Sequence, residues 1–196
     1  MLNAESTIDT VTDLLPGFAF RGAITDEPPG PVRVVNMANA MGDSLADDVE
    51  LPSIAFTGDQ AKLQVRPGDL IFRSRGVSNQ AVLVESVHQP AILASPLIRI
   101  RVRDPKVLDP HYLQWVLNSG PTQRAIDAIA RGTIVRMVTV PSLRQLKIPV
   151  PPMAVQQRIA AFALLQREEQ SLSAALIEKR RQFAEQVLWA KAQEVR

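Results

Sequence analysis

Gly132-Thr133-Ile134-Val135-Arg136-Met137-Val138-Thr139-Val140 is a glycine followed by a run rich in β-branched residues that carries one cation. The chain then changes character twice. Leu146-Lys147-Ile148-Pro149-Val150-Pro151-Pro152 is a short extended piece stopped by adjacent prolines, which lack an N–H and bias the preceding residue towards extended backbone. Met153-Ala154-Val155-Gln156-Gln157-Arg158-Ile159-Ala160-Ala161-Phe162 then opens a helix. From Met153 to Glu194 there is no Gly or Pro, and Gln, Glu, Lys, Ala and Leu dominate, all good helix formers. At 1.5 Å per residue this predicts a rod of roughly 60 Å. The order of a polar-tipped strand, a stop and a long helix divides the chain into a globular part, residues 1–150, and a helical part, residues 151–196.

Working outward, the 196 residues allow one globular domain plus an appendage, and an apolar share of 46% is ordinary for a folded protein. There is no cysteine, so disulfides and thiolate chemistry are excluded. The opening Met1-Leu2-Asn3-Ala4-Glu5-Ser6 lacks the basic-then-apolar order of a secretory signal. No apolar run approaches the ~20 residues that span a bilayer. The expectation is a cytoplasmic protein without a membrane partner.

The net charge of +2 conceals an asymmetry. Residues 1–60 hold two arginines against ten acids, whereas residues 61–150 hold thirteen Lys and Arg against five acids. A cationic middle suits a polyanion, because neutralised phosphates release counterions. Basic residues spread around the surface would give the same count.

Within that middle, Val65-Arg66-Pro67-Gly68-Asp69 signals a turn and Leu70-Ile71-Phe72 a buried strand. Arg73-Ser74-Arg75-Gly76-Val77-Ser78-Asn79-Gln80 follows, before a second apolar strand, Ala81-Val82-Leu83-Val84. The loop is read as a hairpin tip. Its residue types suit base reading, since Arg grips guanine and Asn or Gln grips adenine with paired hydrogen bonds. The candidate readers are Arg73, Ser74, Arg75, Asn79 and Gln80, joined by Arg131, Thr133 and Arg136 around the Gly132 tip. An ordinary polar hairpin loop would also be rich in Ser, Asn and Gly.

Leu97-Ile98-Arg99-Ile100-Arg101-Val102-Arg103 alternates with period two. A strand here puts Ile98, Ile100 and Val102 towards the core and the three arginines on the other face, roughly 7 Å apart. Such a row matches the spacing of successive phosphates, so Arg99 and Arg101 are candidate phosphate contacts. It matches equally a solvated face, or one paired with cross-strand acids.

Elsewhere, Ser6 to Leu15 reads as a short amphipathic helix with Ile8, Val11 and Leu15 on one side. Val32 to Asn36 reads as a strand and Asn39 to Glu50 as acidic and irregular. Asp109-Pro110 caps a helix buried through Tyr112, Leu113, Val116 and Leu117, and Asn118-Ser119-Gly120 stops it. Pro121 opens another helix, ending at Gly132. Tyr112 and Trp115 are read as core residues, because helical spacing explains them without base stacking.

The long helix carries apolar side chains that a globule of ~150 residues, with a radius of gyration near 15 Å, is too small to bury. Ile159, Phe162, Leu172, Leu176, Phe183 and Val187 are the candidate dimerisation residues, in an intermolecular coiled coil. A helix hinged back at the polar stretch Gln166-Arg167-Glu168-Glu169-Gln170 is the alternative.

Several of these pieces, in this order, resemble the DNA specificity subunit of type I restriction–modification systems. They are Asp13-Leu14-Leu15-Pro16-Gly17-Phe18-Ala19-Phe20, Val35-Asn36, Pro67-Gly68-Asp69-Leu70-Ile71, Asp109-Pro110-His111-Tyr112-Leu113 and, most specific, Pro149-Val150-Pro151-Pro152-Met153-Ala154-Val155-Gln156-Gln157-Arg158-Ile159-Ala160. The resemblance departs at Val155, where the family usually has glutamate. It implies an α+β fold: a single target-recognition domain with a twisted mixed sheet and short helices, followed by the long helix. It also implies a non-catalytic protein that needs no cofactor and whose partners are double-stranded DNA, a methyltransferase (modification) subunit and a restriction/translocase subunit. A full subunit has two recognition domains and two helical spacers. One of each implies a half-sized form, working as a homodimer that reads an inverted repeat with half-sites roughly 10 base pairs apart.

Other chemistry finds little footing. There is no Gly-rich phosphate loop ending in Gly-Lys-Ser/Thr, and no Asn/Asp-Pro-Pro-aromatic tetrad of an amino-methyltransferase. His88 and His111 lie far apart without carboxylate clusters, so no metal site is expected. Asp69 and Glu85, on adjacent predicted strands, are the carboxylates a small metal-dependent nuclease would use, although no lysine follows Glu85. A decoy that pairs with other specificity subunits without reading DNA is the remaining alternative.

Overall fold

The computed structural model describes residues 5–22, 24, 30–45, 50–76, 79–132 and 136–193. It divides into two compact units, Met1–Gln157 and Arg158–Arg196. The first unit mixes short strands and helices, and the second is the body of one helix.

The first unit is built on a five-stranded sheet. Its strands are β2 (Thr12–Pro16), β4 (Ser44–Leu45), β6 (Leu70–Arg73), β7 (Ala81–Val84) and β9 (Leu97–Val102), in the order β2-β9-β6-β7-β4. Four of them run antiparallel, and β4 closes the edge in parallel with β7. The hairpin expected from Leu70 to Val84 forms in register, with Leu70 opposite Leu83 and Phe72 opposite Ala81. Leu70, Ile71 and Phe72 are all fully buried, so both faces of the central strand are covered.

Two smaller sheets accompany the five-stranded one. β5 (Ser53–Ile54), β3 (Val32–Val35) and β8 (Ala91–Leu93) form one, with β3 in the middle. β1 (Glu5–Thr7) and β10 (Lys147–Pro149) pair antiparallel as the other, tying the start of the chain to the segment before the long helix. A core of Val35, Leu45, Val65, Ile71, Val82, Val84, Leu93 and Leu97 links the two larger sheets.

The helices are α1 (Ile8–Val11), α2 (Gln60–Leu63), α3 (Pro110–Asn118), α4 (Gly120–Ile129), α5 (Val140–Arg144) and α6 (Met153–Gln193). α3 starts as its sequence predicts, with Pro110 in the first turn and the Asp109 carboxylate accepting from the Tyr112 N–H at 2.9 Å. Its Tyr112, Leu113, Val116 and Leu117 are buried, and burial pushes the Tyr112 phenol pKa up. Trp115 is partly exposed rather than core.

Two expectations are corrected. The helix over Ser6–Leu15 survives only as α1. From Thr12 the chain turns extended and pairs with β9, so Leu14 faces inward by strand alternation and Leu15 does not. The β-rich run from Gly132 does not continue as a strand to Val140. Val140 instead opens α5, with Pro141 in the first turn and the Thr139 hydroxyl accepting from the Ser142 N–H.

Candidate nucleic-acid interface

The loops singled out for DNA reading lie far apart in sequence, and the backbone joins them. β6 continues beyond Arg73 through an isolated antiparallel bridge between Arg75 and Met137, and Met137 bridges Arg131 on its other side. Arg131 and Met137 exchange both backbone hydrogen bonds at 2.9 Å, and the Val138 N–H donates to the Ser74 carbonyl at 2.8 Å. The tip is therefore a short three-stranded ribbon at the end of the sheet. Gly76 (φ +123°) and Gly132 (φ +107°), each next to a bridged arginine of the ribbon, adopt backbone that side chains disfavour.

The candidate readers divide into two groups. Arg75, Gln80, Arg131 and Arg136 are exposed, and Arg73 is half-buried. Among the described residues Arg75 and Arg131 have no acidic partner, whereas Arg136 lies 3.5 Å from Asp127 in an exposed pair. Ser74 and Asn79, by contrast, are buried and bond the loop itself: the Ser74 hydroxyl donates to the Pro96 carbonyl, and Asn79 Nδ2 donates to the Arg73 carbonyl at 2.8 Å. They build the loop rather than project from it. Thr133 lies outside the described residues.

Arg99 and Arg101 are also corrected, because the outer face of β9 is covered there. Arg99 is only 7% exposed, and its Nη1 donates to the carbonyls of Lys62 and Gln64, at and just beyond the end of α2. Desolvation, then the neighbouring Arg101, lowers its pKa. Arg101 clasps Asp69 through Nε and Nη2, both at 2.7 Å, and this bonding raises its pKa despite partial burial. Asp69 also accepts from the Arg66 N–H at 2.7 Å, so the turn before β6 is pinned to β9.

The same geometry removes support for the nuclease reading. The Asp69 carboxylate is buried against Arg101, while Glu85 is exposed. Among the described residues no group of three or more His, Cys, Asp or Glu is placed to hold a metal ion.

Sequence reasoning missed the residues that hold the loop. Asn118, read only as a helix stop, uses its side-chain amide as a strand would: Oδ1 accepts from the Ala81 N–H at 2.8 Å and Nδ2 donates to the Ala81 carbonyl at 2.9 Å. Gln123 Nε2 donates to the Asn79 carbonyl at 3.1 Å. The end of α3 and the start of α4 thus clamp the returning arm of the hairpin. Gln156, fully buried in the first turn of α6, bonds the Asp109 N–H and the Val107 and Pro151 carbonyls. No local sequence pattern announces such long-range partners.

On α6, Phe162, Leu172, Leu176, Phe183 and Val187 are exposed and Ile159 is half-buried. Among the described residues no helix is long and apolar enough to cross a membrane.

No protein-family model matches the sequence, and no curated protein matches it. Solved structures do. The chain is similar to the type I restriction–modification S subunit of M. genitalium, with 21% identity and a TM-score of 0.59 over 91% of this chain and 42% of that one. It is similar to the HsdS subunit of Thermoanaerobacter tengcongensis, with 18% identity and a TM-score of 0.62 over 89% of this chain and 40% of the other. A third match, from a structural study of complex assembly in the type I R-M system, has 18% identity and a TM-score of 0.66 over 91% and 42%. The chain thus spans about two-fifths of the length of these proteins, and over that span it has the fold of type I restriction–modification specificity subunits.

Proposed function

We propose that this chain is a non-catalytic DNA-recognition component of a type I restriction–modification system, which directs a methyltransferase subunit and a restriction/translocase subunit to their target. The observation that carries the reading is the shared tip. Two loops from distant parts of the cationic middle are joined by backbone pairing and leave Arg75 and Arg131 exposed on either side of Met137. Arginines on a rigid base suit guanine edges or phosphates, and the fold supports the same role. Arg73, Gln80 and Arg136 complete the reading surface.

The second unit pairs with another copy of itself. At 3.6 residues per turn, Ala161, Leu165, Glu169, Leu172, Leu176, Lys179, Phe183 and Val187 fall on one stripe of α6, with the dimerisation candidate Phe162 at its edge and Ile159 off it. That stripe is mirror-symmetric about Ala174. In an antiparallel pair Leu172 meets Leu176, Leu165 meets Phe183, Ala161 meets Val187 and Glu169 meets Lys179. A parallel pair would set Glu169 on Glu169 and Lys179 on Lys179, a like-charge clash twice over. Arg167 faces Arg181 in the antiparallel register, but Arg181 is neutralised along its own helix by Glu178 at 2.9 Å and Glu185 at 3.5 Å. A two-fold dimer of this kind presents two copies of one reading tip, suited to an inverted repeat.

The test is selection of bound sites from a random DNA pool by the full chain with a modification partner, alongside the Leu172→Asp/Leu176→Asp double variant. The reading expects the parent to enrich an inverted repeat and the variant, monomeric by light scattering, to enrich at most one half of it. A pool that stays random rules out DNA reading. Cutting of plasmid by the pure protein with magnesium would equally contradict the proposal.

A further inference from the structure

We propose that Met137 is a specificity-determining residue that packs on the 5-methyl group of a thymine in the major groove; the inference rests on the DNA-reading function above. Met137 is the central position of the three-stranded tip, paired with Arg75 on one side and Arg131 on the other. Directly opposite residues of antiparallel strands stand on the same face, so the three side chains form a row, Arg–Met–Arg. The Arg131 pair exchanges both hydrogen bonds, and the Arg75 pair lies between bonds, as the Val138 N–H to Ser74 carbonyl contact indicates. Those two pair types separate Cα atoms by about 5.5 and 4.5 Å, so the arginines stand about 10 Å apart with the methionine between them.

Alternation decides which way the row faces. Val138 is buried, whereas Met137 is 43% exposed and both arginines are exposed. The row points to solvent from a backbone paired on both sides of Met137, so little ordering is needed when DNA arrives. A lone exposed methionine is unremarkable on a protein surface. One held between two cations, on the surface offered to DNA, meets a base edge whenever the arginines engage.

The groove and the base then follow from chemistry. A ribbon about 10 Å across its outer Cα atoms is too wide for a minor groove of about 6 Å and fits a major groove of about 12 Å. In the major groove the thymine methyl is the apolar feature among base edges that are otherwise donors and acceptors. The flexible thioether of methionine adapts to such a methyl. Pressed against the cytosine amino group instead, it would strip water from a donor and return no hydrogen bond.

The experiment uses the full chain and duplexes carrying its selected site, with each thymine in turn replaced by deoxyuridine, which removes only the methyl. We expect one position at which this change weakens binding about fourfold, the worth of one buried methyl group. Met137→Ala should bind the thymine duplex weakly by a similar factor and be indifferent to the replacement, while Met137→Leu keeps the response. The inference is overturned if no thymine responds, or if Met137→Ala responds as the parent does. A bent duplex without any methyl response would mark Met137 as a minor-groove wedge and also overturn it. Selective binding without a methyl response leaves DNA reading intact, whereas failure to select any site removes both.

Discussion

Arg99, on β9, and Arg75, just past the end of the neighbouring β6, both lie in the cationic middle of the chain, in opposite surroundings. Arg99 sits where β9 is covered on both faces, and its guanidinium satisfies carbonyls at the end of α2. Arg75 sits beyond the end of β6 and is exposed, although the opposite face of the ribbon, at Ser74 and Val138, is buried. An arginine in a strand is therefore a brace where its face is covered and is free to act as the proposed probe where it is not. The row on β9 grades from one state towards the other. Arg99 is the most buried, Arg101 is 25% exposed and Arg103 is 46% exposed.

The comparison is broken most forcefully at Arg101. Asp69 is 2% exposed and has Arg101 as its charge partner, so Arg101→Ala strands a buried carboxylate. Removing one member of such a pair costs about 3–5 kcal/mol, and the partial exposure of Arg101 favours the low end. For a chain of this size that lowers the melting temperature by roughly 6–12 °C. Circular dichroism melting is the check, and a change of a degree or less would show that the pair is no brace. The double change Asp69→Asn/Arg101→Met should recover part of the loss, because no charge is then left stranded.

This brace was half legible. The alternation from Leu97 to Arg103 is enough to predict the strand, because period two is a local property. It is silent about cover: Lys62, Gln64 and Asp69, which meet the arginines, come from a different part of the chain. The same limit explains Ser74 and Asn79, whose types suit a reading loop but whose partners turn them inward. At the start of the chain, Ile8, Val11 and Leu15 imitate a helical stripe. Pairing of Thr12–Pro16 with β9 overrides it, since a strand partner supplies both hydrogen bonds and burial. The caps and stops of α3 and the run of α6 were legible because each is written within a few residues. The joining of the Arg75 and Arg131 loops was not, because it depends on a ribbon closed by distant strands.

Arg75 sharpens the comparison from the other side. Arg75→Ala should leave stability within about 0.5 kcal/mol of the parent, since nothing buried depends on the side chain. Its cost appears in DNA binding, as roughly 5- to 150-fold at the selected site if the guanidinium grips a base. Titrations at several salt concentrations separate the two forms of contact. Loss of a base contact relaxes selectivity at one position, whereas loss of a phosphate contact weakens all sequences alike and reduces the salt slope by about one. A melting temperature that falls as far as for Arg101→Ala would erase the distinction between brace and probe.

Arg103 gives the smallest effect and the finest test of the gradient. Its Nε donates to Asp13 at 2.8 Å, a distance matching the Arg101 pair, and Nη1 donates to the Thr10 carbonyl at 3.2 Å. If ion-pair distance set the worth of these arginines, Arg103→Ala and Arg101→Ala would cost alike. Exposure argues otherwise. Both partners stand about half in water, which screens the pair and competes for its hydrogen bonds, so the expected loss is about 0.2–1 kcal/mol. That loss should fade further as salt is raised, because an exposed pair is screened within a Debye length of roughly 10 Å at 0.1 M, whereas the Arg101 effect should persist. Melting curves for the two variants across a salt series therefore decide whether burial or geometry makes an arginine a brace. Parallel losses that share one salt dependence would reject burial as the cause.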